Sequence, residues 1–258
     1  MYFQAAKLYG MKRIVIAFLF TFSLLKLSAQ HSTNAPVRLT ENSVVKDTTG
    51  TEYPYTIWQQ LMTTGRYMIK PEKPTDPNTA FFIIRLSDED YAKRINSLPK
   101  PPESKYFKTG SKFSSFKTTD INGNKINTKN LAGKIIVLNF WFINCPPCVR
   151  EIPELHKLAE SYKTDSSVVF IAVALDQAAD IREFLKTHPF GYSIVDNGRY
   201  ISNQYSINSY PTNVVVSPEG KVYFHSSGFG MSTVHWIKKS IEELQQQPPK
   251  KEEAVAAQ

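Results

Sequence analysis

The chain has 258 residues, enough for one full domain and an accessory segment, with 31 basic and 23 acidic side chains. The formal net charge of +8 does not indicate nucleic-acid binding, because the basic residues are scattered singly or in isolated pairs such as Lys250 and Lys251. Their distribution is that of an ordinary solvated surface.

An export signal is predicted at the start of the chain. A basic pair at 12–13 precedes an apolar run over 14–25, and Ala29 supplies a small residue for cleavage after it. Met11 is the predicted start, so the residues before it form an upstream extension. The apolar run is shorter than the ~20 residues that cross a bilayer, although the bulky Leu27 leaves an uncleaved anchor as the alternative.

Removal of residues 1–29 takes away four basic residues and no acidic ones, which leaves a net charge of +4. Part of the basic character therefore belongs to targeting. We expect a periplasmic or otherwise exported protein that binds no nucleic acid and meets the membrane only through a retained signal segment, if at all.

Residues 30–105 are predicted to form a small accessory region. We expect a strand over 80–86, followed by a short helix with Ser87 as its N-cap, and an amphipathic segment over 53–62. The proline-rich stretch 97–104 is typical of a stiff linker. Because so few apolar residues make little core, the region is expected to pack on the larger domain rather than fold alone.

Residues 106–246 show the pattern of a larger domain, and 247–258 that of a disordered tail. Asn122 and Gly123 mark a tight hairpin turn. Unbroken apolar runs indicate inner strands covered on both faces, and their order with helical segments predicts an α/β sheet of mixed strand direction. The predicted elements are strands over 135–142, 168–174, 212–216 and 222–224, and helices over 145–162, 180–187 and 232–245.

The two cysteines of the chain, Cys145 and Cys148, stand two residues apart where a strand meets a helix. This spacing favours redox chemistry. A structural bridge would close a tiny loop and constrain the unfolded chain little, and a structural zinc site would need four ligands. A metal site completed by a distant histidine remains as an alternative.

The predicted helix assigns different roles to the two thiols. Cys145 falls at the helix N-terminus, where unpaired N–H groups and the helix dipole stabilise a thiolate, so it is the predicted nucleophile. Cys148 lies one turn further and is the predicted resolving thiol. Pro146 and Pro147 fit the first turn, where no N–H partner is needed.

Phe140-Trp141 before the Cys-x-x-Cys pair, and Pro211 before a later strand, resemble the thioredoxin superfamily. The early hairpin and the sequence 148–155 are similar to its exported TlpA/ResA-like branch. The resemblance covers residues 106–246. It implies a thioredoxin-like mixed central sheet flanked by helices with an N-terminal β-hairpin extension. It also implies disulfide exchange without a cofactor, with client proteins and an unidentified membrane electron donor as partners.

The resemblance also implies roles for particular residues. Pro211 matches the cis-proline loop that faces the disulfide and pairs with substrate. Glu151 is expected to handle the proton of Cys148, with a pKa raised by burial, because Asn139 replaces the aspartate of thioredoxins proper. The predicted substrate contacts are Trp141, Asn144 and Tyr210.

The sequence therefore predicts an exported protein-disulfide reductase that uses Cys145 and Cys148. A copper-binding or copper-delivery module is the alternative, with His225 or His235 completing the site. A binding domain with a vestigial cysteine pair is the third possibility. A peroxidase is excluded, because Phe142 occupies the place of the threonine that precedes a peroxidatic cysteine.

Overall fold

The computed structural model describes residues 37–247, so the predicted export signal and nearly all of the predicted tail lie outside the described residues. The accessory region holds a three-stranded sheet in the order β1-β3-β2, with β1 parallel and β2 antiparallel to β3. Its elements are β1 (Val45–Lys46), α1 (Tyr55–Thr63), β2 (Tyr67–Pro71), β3 (Phe81–Arg85) and α2 (Asp88–Ser97).

Local sequence explains most of this region. The predicted strand and helix are present as β3 and α2, and the Ser87 side chain accepts a hydrogen bond from the Asp90 N–H as the N-cap. The proline cluster after β2 forms the connection to β3. The strands β1 and β2 were not predicted, since β1 has only two residues and β2 ends in a proline.

The stretch after α2, predicted as a linker, is attached to the rest of the molecule at both ends. The carbonyl of Pro99 accepts a hydrogen bond from the Ser232 hydroxyl at 3.0 Å, and the Ser104 N–H donates to His225 Nδ1 at 3.0 Å. Residues 37–247 accordingly fall within one compact unit. Within residues 37–247, no helix is both long and apolar enough to cross a membrane.

A short hairpin and a five-stranded sheet follow in the chain. The hairpin pairs β4 with β5, and the sheet has the order β10-β9-β6-β7-β8. The elements are β4 (Lys117–Thr119), β5 (Lys125–Asn127), β6 (Ile135–Trp141), α3 (Pro146–Ser161), β7 (Val168–Ala174), α4 (Ala178–Leu185), β8 (Ser193–Val195), α5 (Arg199–Gln204), β9 (Thr212–Val216), β10 (Val222–Ser227) and α6 (Thr233–Gln246).

The central strand β6 pairs parallel with β7 and antiparallel with β9, and all seven of its residues are buried. Alternate residues serve different layers. Val137 and Trp141 join the apolar cluster with α3 and α6, whereas Leu138 and Phe140 join the opposite cluster around Tyr205. The expected thioredoxin-like mixed sheet with a preceding hairpin is confirmed. The helix α5 was not predicted.

Both edges of the five-stranded sheet are covered by the segment that precedes β6. At one edge, Val222 of β10 donates its N–H to the Ser111 carbonyl and accepts from the Gly110 N–H. At the other edge, the Ile121 N–H donates to the Ile194 carbonyl of β8 at 2.8 Å. The segment thus occupies backbone groups on both outer strands.

Candidate active site

The cysteine pair lies at the junction of β6 and α3, as predicted. Cys145 and Cys148 form a disulfide with their Cα atoms 5.2 Å apart. Cys145 is the N-cap residue of α3, and its Sγ accepts a hydrogen bond from the Cys148 N–H at 3.3 Å. Pro146 and Pro147 take the first two helical positions, where the missing N–H groups cost nothing.

A thiolate on Cys145 would therefore have a donor in place. The backbone N–H of Cys148 already reaches the sulfur, and the positive end of the helix dipole lies beside it. Both effects lower the pKa of a thiol. Since both cysteines are buried in the oxidised protein, a client must approach through the residues around them.

Three residues were predicted to contact substrate, and the structure places them differently. Asn144 is exposed directly before Cys145. Tyr210 is half-buried and packs edge-on against Phe142, with ring centroids 5.5 Å apart. Trp141 is wholly buried against Phe184 and Phe190, so the prediction of direct contact is wrong for this residue. Its indole supports the floor of the site.

The peptide bond between Tyr210 and Pro211 is cis, as the resemblance implied. Pro211 is buried directly before β9. Its carbonyl accepts a hydrogen bond from the Gly228 N–H at 2.8 Å. The loop is therefore tied to the segment that follows β10.

Glu151 faces the core on the same side of α3 as Cys148, and only 2% of its surface is exposed. Its Oε2 accepts a hydrogen bond from Asn213 Nδ2 at 3.0 Å. The Oδ1 of Asn213 in turn accepts from Asn139 Nδ2 at 2.9 Å. Because Asn139 and Asn213 are register partners on β6 and β9, the sheet itself fixes this chain of hydrogen bonds.

Burial raises the pKa of Glu151 to about 8, and the hydrogen bond from Asn213 and the N–H of Gly230 oppose that rise. Within residues 37–247, Oε1 has no hydrogen-bond partner. The neighbouring Tyr192 is also buried, and burial together with the charge of Glu151 holds the pKa of its hydroxyl well above the usual value. The pKa of Glu151 is close to that of a thiol, which is ordinarily ~8.5, so a proton can pass between the two groups at little cost in free energy.

Asn213 was missed by the sequence analysis, although a signal was present. A single asparagine interrupts the β-branched run of β9, and Asn139 interrupts β6 in the same way. Both fall on the α3 face, since alternate residues Val137 and Val215 belong to the cluster on that face. Two buried amides on one face require each other or a third polar group as partners.

The two histidines proposed for a copper site lie on β10 and α6. His225 is buried in β10, and its Nδ1 is paired with Ser104. Burial lowers the pKa of His225, which therefore stays neutral. His235 lies on α6, and burial lowers its pKa too. Among residues 37–247, no group of three or more His, Cys, Asp or Glu side chains is arranged to hold a metal ion.

Residues 109–225 match the AhpC/TSA family. The thiol-disulfide oxidoreductase ResA of Bacillus cereus is 34% identical over 115 residues, which cover 44% of this chain and 66% of that protein, just under two thirds. The ResA protein of Halalkalibacterium halodurans is 29% identical over 123 residues, which cover 47% of this chain and 70% of that protein.

Two solved structures align with part of the chain. A solution structure from Bacteroides thetaiotaomicron aligns with a TM-score of 0.52 at 20% identity, over 55% of this chain and 92% of that chain. A thiol:disulfide interchange protein from Bacteroides sp. aligns with a TM-score of 0.47 at 20% identity, over 59% and 99% of the two chains. The first of these likenesses supports the fold alone.

The fold and the cysteine pair at a helix N-terminus define a protein of the thioredoxin-like class, as the sequence predicted. Within that class, residues 109–225 match the AhpC/TSA family, and the chain is similar to ResA thiol-disulfide oxidoreductases.

Proposed function

We propose that this protein is an exported thiol-disulfide oxidoreductase that reduces disulfides of client proteins in the cell envelope. The observation that carries the proposal is a buried carboxyl group, Glu151, on the face of α3 that holds Cys148. A buried acid without a structural counter-ion is costly, which favours a role in proton transfer.

In the first step, the Cys145 thiolate attacks one sulfur of a client disulfide. A mixed disulfide forms between Cys145 and the client, and the second client sulfur leaves as a thiolate that takes a proton from solvent. The N-cap position and the Cys148 N–H stabilise the attacking thiolate.

In the second step, Cys148 attacks the Cys145 sulfur and releases the other client thiolate. Cys148 must first lose its proton, and the Glu151 carboxylate is the proposed acceptor. The transfer is close to balanced, because burial brings the pKa of Glu151 to about 8. The enzyme ends as the Cys145–Cys148 disulfide with the proton on Glu151, and the client gains two electrons.

The client is proposed to approach beside Asn144, Tyr210 and Pro211. Asn144 is exposed next to the attacking cysteine, and Tyr210 presents one side of its ring to the surface. The cis-proline loop would pair with the backbone of the client, as the resemblance implies.

The direction of electron flow follows from the surroundings of Cys148. Burial disfavours the thiolate form of Cys148, and a less stable reduced form makes a stronger reductant. We therefore expect a reduction potential below roughly −200 mV for the Cys145–Cys148 couple.

The potential can be measured by equilibrating the protein in graded dithiothreitol buffers and trapping free thiols with a maleimide. A value above roughly −150 mV would overturn the reductase direction and favour an oxidase. Retention of stoichiometric Cu(I) through gel filtration would instead support the copper-binding alternative.

Export is the second part of the proposal, and it rests on the N-terminal basic pair, apolar run and Ala29. Expression from Met11 should give a shortened mature chain in the envelope fraction. An electron donor in the membrane would then re-reduce the Cys145–Cys148 disulfide. A full-length product that stays with the cytoplasm would contradict export.

A further inference from the structure

Asn213 is the side chain that the structure pairs directly with the Glu151 carboxyl group. Its Nδ2 donates a hydrogen bond to Glu151 Oε2 at 3.0 Å, and its Oδ1 accepts one from Asn139 Nδ2 at 2.9 Å. Asn213 is completely buried, so its amide cannot exchange these partners for water. The proposed proton acceptor is therefore in contact with a polar group that the central sheet holds in place.

The direction of the Asn213 amide is fixed by Asn139. An asparagine amide has one oxygen that accepts hydrogen bonds and one NH₂ group that donates them. Because the Asn139 NH₂ group occupies the Asn213 oxygen, the Asn213 NH₂ group is the side that faces Glu151. The reversed amide would bring two NH₂ groups together and place an oxygen against the carboxylate. Since the two asparagines are register partners on β6 and β9, the backbone keeps them at this separation.

The hydrogen bond from Asn213 makes the two oxygens of Glu151 unequal. Oε2 accepts that hydrogen bond, whereas within residues 37–247 Oε1 has no hydrogen-bond partner. A proton on Oε2 would compete with the Asn213 N–H for the same atom, so Oε1 carries the proton at lower cost. The Asn213 N–H also stabilises the ionised carboxyl group, against the effect of burial. One defined oxygen is thus left to accept a proton.

The two strands do not need these amides in order to pair. The backbones of β6 and β9 already pair over five residues of each strand. The next register pair on the same face is Val137 with Val215, and both belong to the apolar cluster there. An apolar pair would cover positions 139 and 213 as well, without the cost of burying two polar groups. The amides therefore point to a task beyond strand pairing.

We propose that Asn213 is a positioning residue that holds the Glu151 carboxyl group through Oε2 and leaves Oε1 to take the proton of Cys148. Asn139 contributes by orienting the Asn213 amide. In the step concerned, the S–H bond of Cys148 breaks, an O–H bond forms at Oε1, and the freed sulfur attacks Cys145. The inference rests on the proposed function of Glu151 and adds the two residues of the sheet that orient it.

Other groups share the surroundings of Glu151, and the test must separate them from Asn213. The Tyr192 hydroxyl is buried nearby, and Cys148 lies on the same face of α3. Glu151 also lines a cavity of about 880 Å³. The other titratable residues that line this cavity are Tyr91 on α2, Arg150, Glu154 and Lys157 on α3, and His235, Lys238, Lys239 and Glu242 on α6. A substitution at Asn213 replaces none of these groups.

The test follows the resolving step directly, by mixing the reduced protein with dithiobisnitrobenzoate, an aromatic disulfide that releases a coloured thiolate. Attack by Cys145 releases the first equivalent and leaves a mixed disulfide. Attack by Cys148 on the Cys145 sulfur then releases the second equivalent. Stopped-flow absorbance gives the rate of the second release as a function of pH, with the first release as the internal reference. The melting temperature of each variant is measured in parallel.

Asn213→Val should move the pH midpoint of the second release upward by about half a unit or more, and slow that release about threefold at pH 7, because the donor to the Glu151 carboxylate is gone. Asn139→Val should shift the midpoint in the same direction by less, since the donor remains but is no longer oriented. Each single variant leaves one buried amide unpaired, which costs stability.

Two further variants separate this effect from a loss of packing. Replacement of both asparagines by valine leaves neither amide unpaired, so this double variant is expected to fold and to shift the midpoint as far as Asn213→Val does. Val214→Ala is the matched control, because Val214 is equally buried on β9 but belongs to the opposite cluster. It should lower the melting temperature without moving the midpoint.

An unshifted midpoint in folded Asn213→Val, or in the double variant if the single one does not fold, would overturn the inference. An equal shift in Val214→Ala would overturn it too, because any loss of packing would then have the same effect. Glu151→Gln serves as the reference for the proposed function. If Glu151→Gln changes the profile and the Asn213 variants do not, only the inference fails. If Glu151→Gln itself leaves the profile unchanged, the proposed role of Glu151 fails as well.

Discussion

The accessory region and the thioredoxin-like domain bury their central strands to different depths. In β3, the buried residues Phe81 and Ile83 alternate with the partly exposed Phe82 and Ile84, so one face of that sheet is well covered. In β6, all seven residues are buried, because helices and loops cover both faces.

The difference explains where the chemistry is located. A carboxyl group keeps its proton near neutral pH when it is removed from water, and a well-covered core removes it from water. The larger domain provides this for Glu151, whereas the accessory core consists of Val45, Trp58, Phe81 and Ile83. The described part of the accessory region supplies no such site of its own and instead packs against the thioredoxin-like domain.

The largest expected effect separates the two cysteines of the larger domain. Cys148→Ser should accumulate mixed disulfides with client proteins, because Cys145 can attack but the intermediate is not resolved. Cys145→Ser should trap nothing and lose insulin reduction completely. Non-reducing gels of the purified variants, with insulin as the client, would show the difference; trapping by Cys145→Ser alone would reverse the two roles.

Glu151→Gln tests whether the buried carboxyl group takes part in disulfide exchange, and the readout is the rate of that exchange. The variant should slow disulfide exchange by about tenfold or more above pH 7, because the proton acceptor for Cys148 is gone. Glu160→Gln, an exposed position near the end of the same helix, is the matched control. Equal rates and equal pH profiles for wild type and Glu151→Gln would remove Glu151 from the mechanism.

The same substitution should change how stability depends on pH. The folded protein holds the Glu151 proton up to about pH 8, whereas the unfolded chain releases it near its ordinary pKa of 4.5. Stability from this group is therefore complete below pH 4.5 and is lost as pH rises through 8, in all on the order of 4–5 kcal/mol. Urea unfolding of the oxidised protein at pH 5, 7 and 9 should show this decline in wild type and a flatter profile in Glu151→Gln.

Leu138→Ala and Ile83→Ala compare the two cores directly. Leu138→Ala should lower the free energy of unfolding by roughly 2–5 kcal/mol, because the site is closed on both sides and cannot collapse around the void. Ile83→Ala should cost less overall and increase hydrogen exchange mainly in residues 37–97. If both variants lost the same free energy of unfolding and hydrogen exchange increased uniformly along the chain, the two regions would unfold as one unit.

The sequence predicted the parts of the site that depend on local order. Unbroken apolar runs indicated β6 and β7, and the cysteine pair marked the start of α3. The resemblance supplied the cis bond before Pro211 and the burial of Glu151. These features can be predicted from residues that are neighbours in the sequence or from a known family pattern.

What could not be predicted depends on residues distant in the chain. The pairing of Asn139 with Asn213 requires the register of β6 against β9, which the sequence does not state. Trp141 was expected to meet substrate, but its neighbours Phe184 and Phe190 come from segments more than 40 residues later and enclose it. The hydrogen bond between Pro99 and Ser232 could not be predicted for the same reason, because it joins residues 133 positions apart.

The smallest expected effect is confined to the accessory region. Ser87→Ala removes the side chain that caps α2 and should cost about 1 kcal/mol. Because α2 belongs to the accessory region, outside the five-stranded sheet that holds the active site, amide exchange in residues 88–97 should increase while insulin reduction changes little. An equally faster exchange in β6 would show that the loss spreads into the larger domain.

The segment that covers both edges of the five-stranded sheet also bears on how the protein behaves at high concentration. Exposed strand edges invite pairing between molecules, which leads to domain swapping or fibrils. Here Gly110 and Ser111 occupy groups of β10, and Ile121 occupies a group of β8. Detachment of this one segment would expose unpaired backbone groups on both outer strands at once, so its attachment protects the protein against self-association.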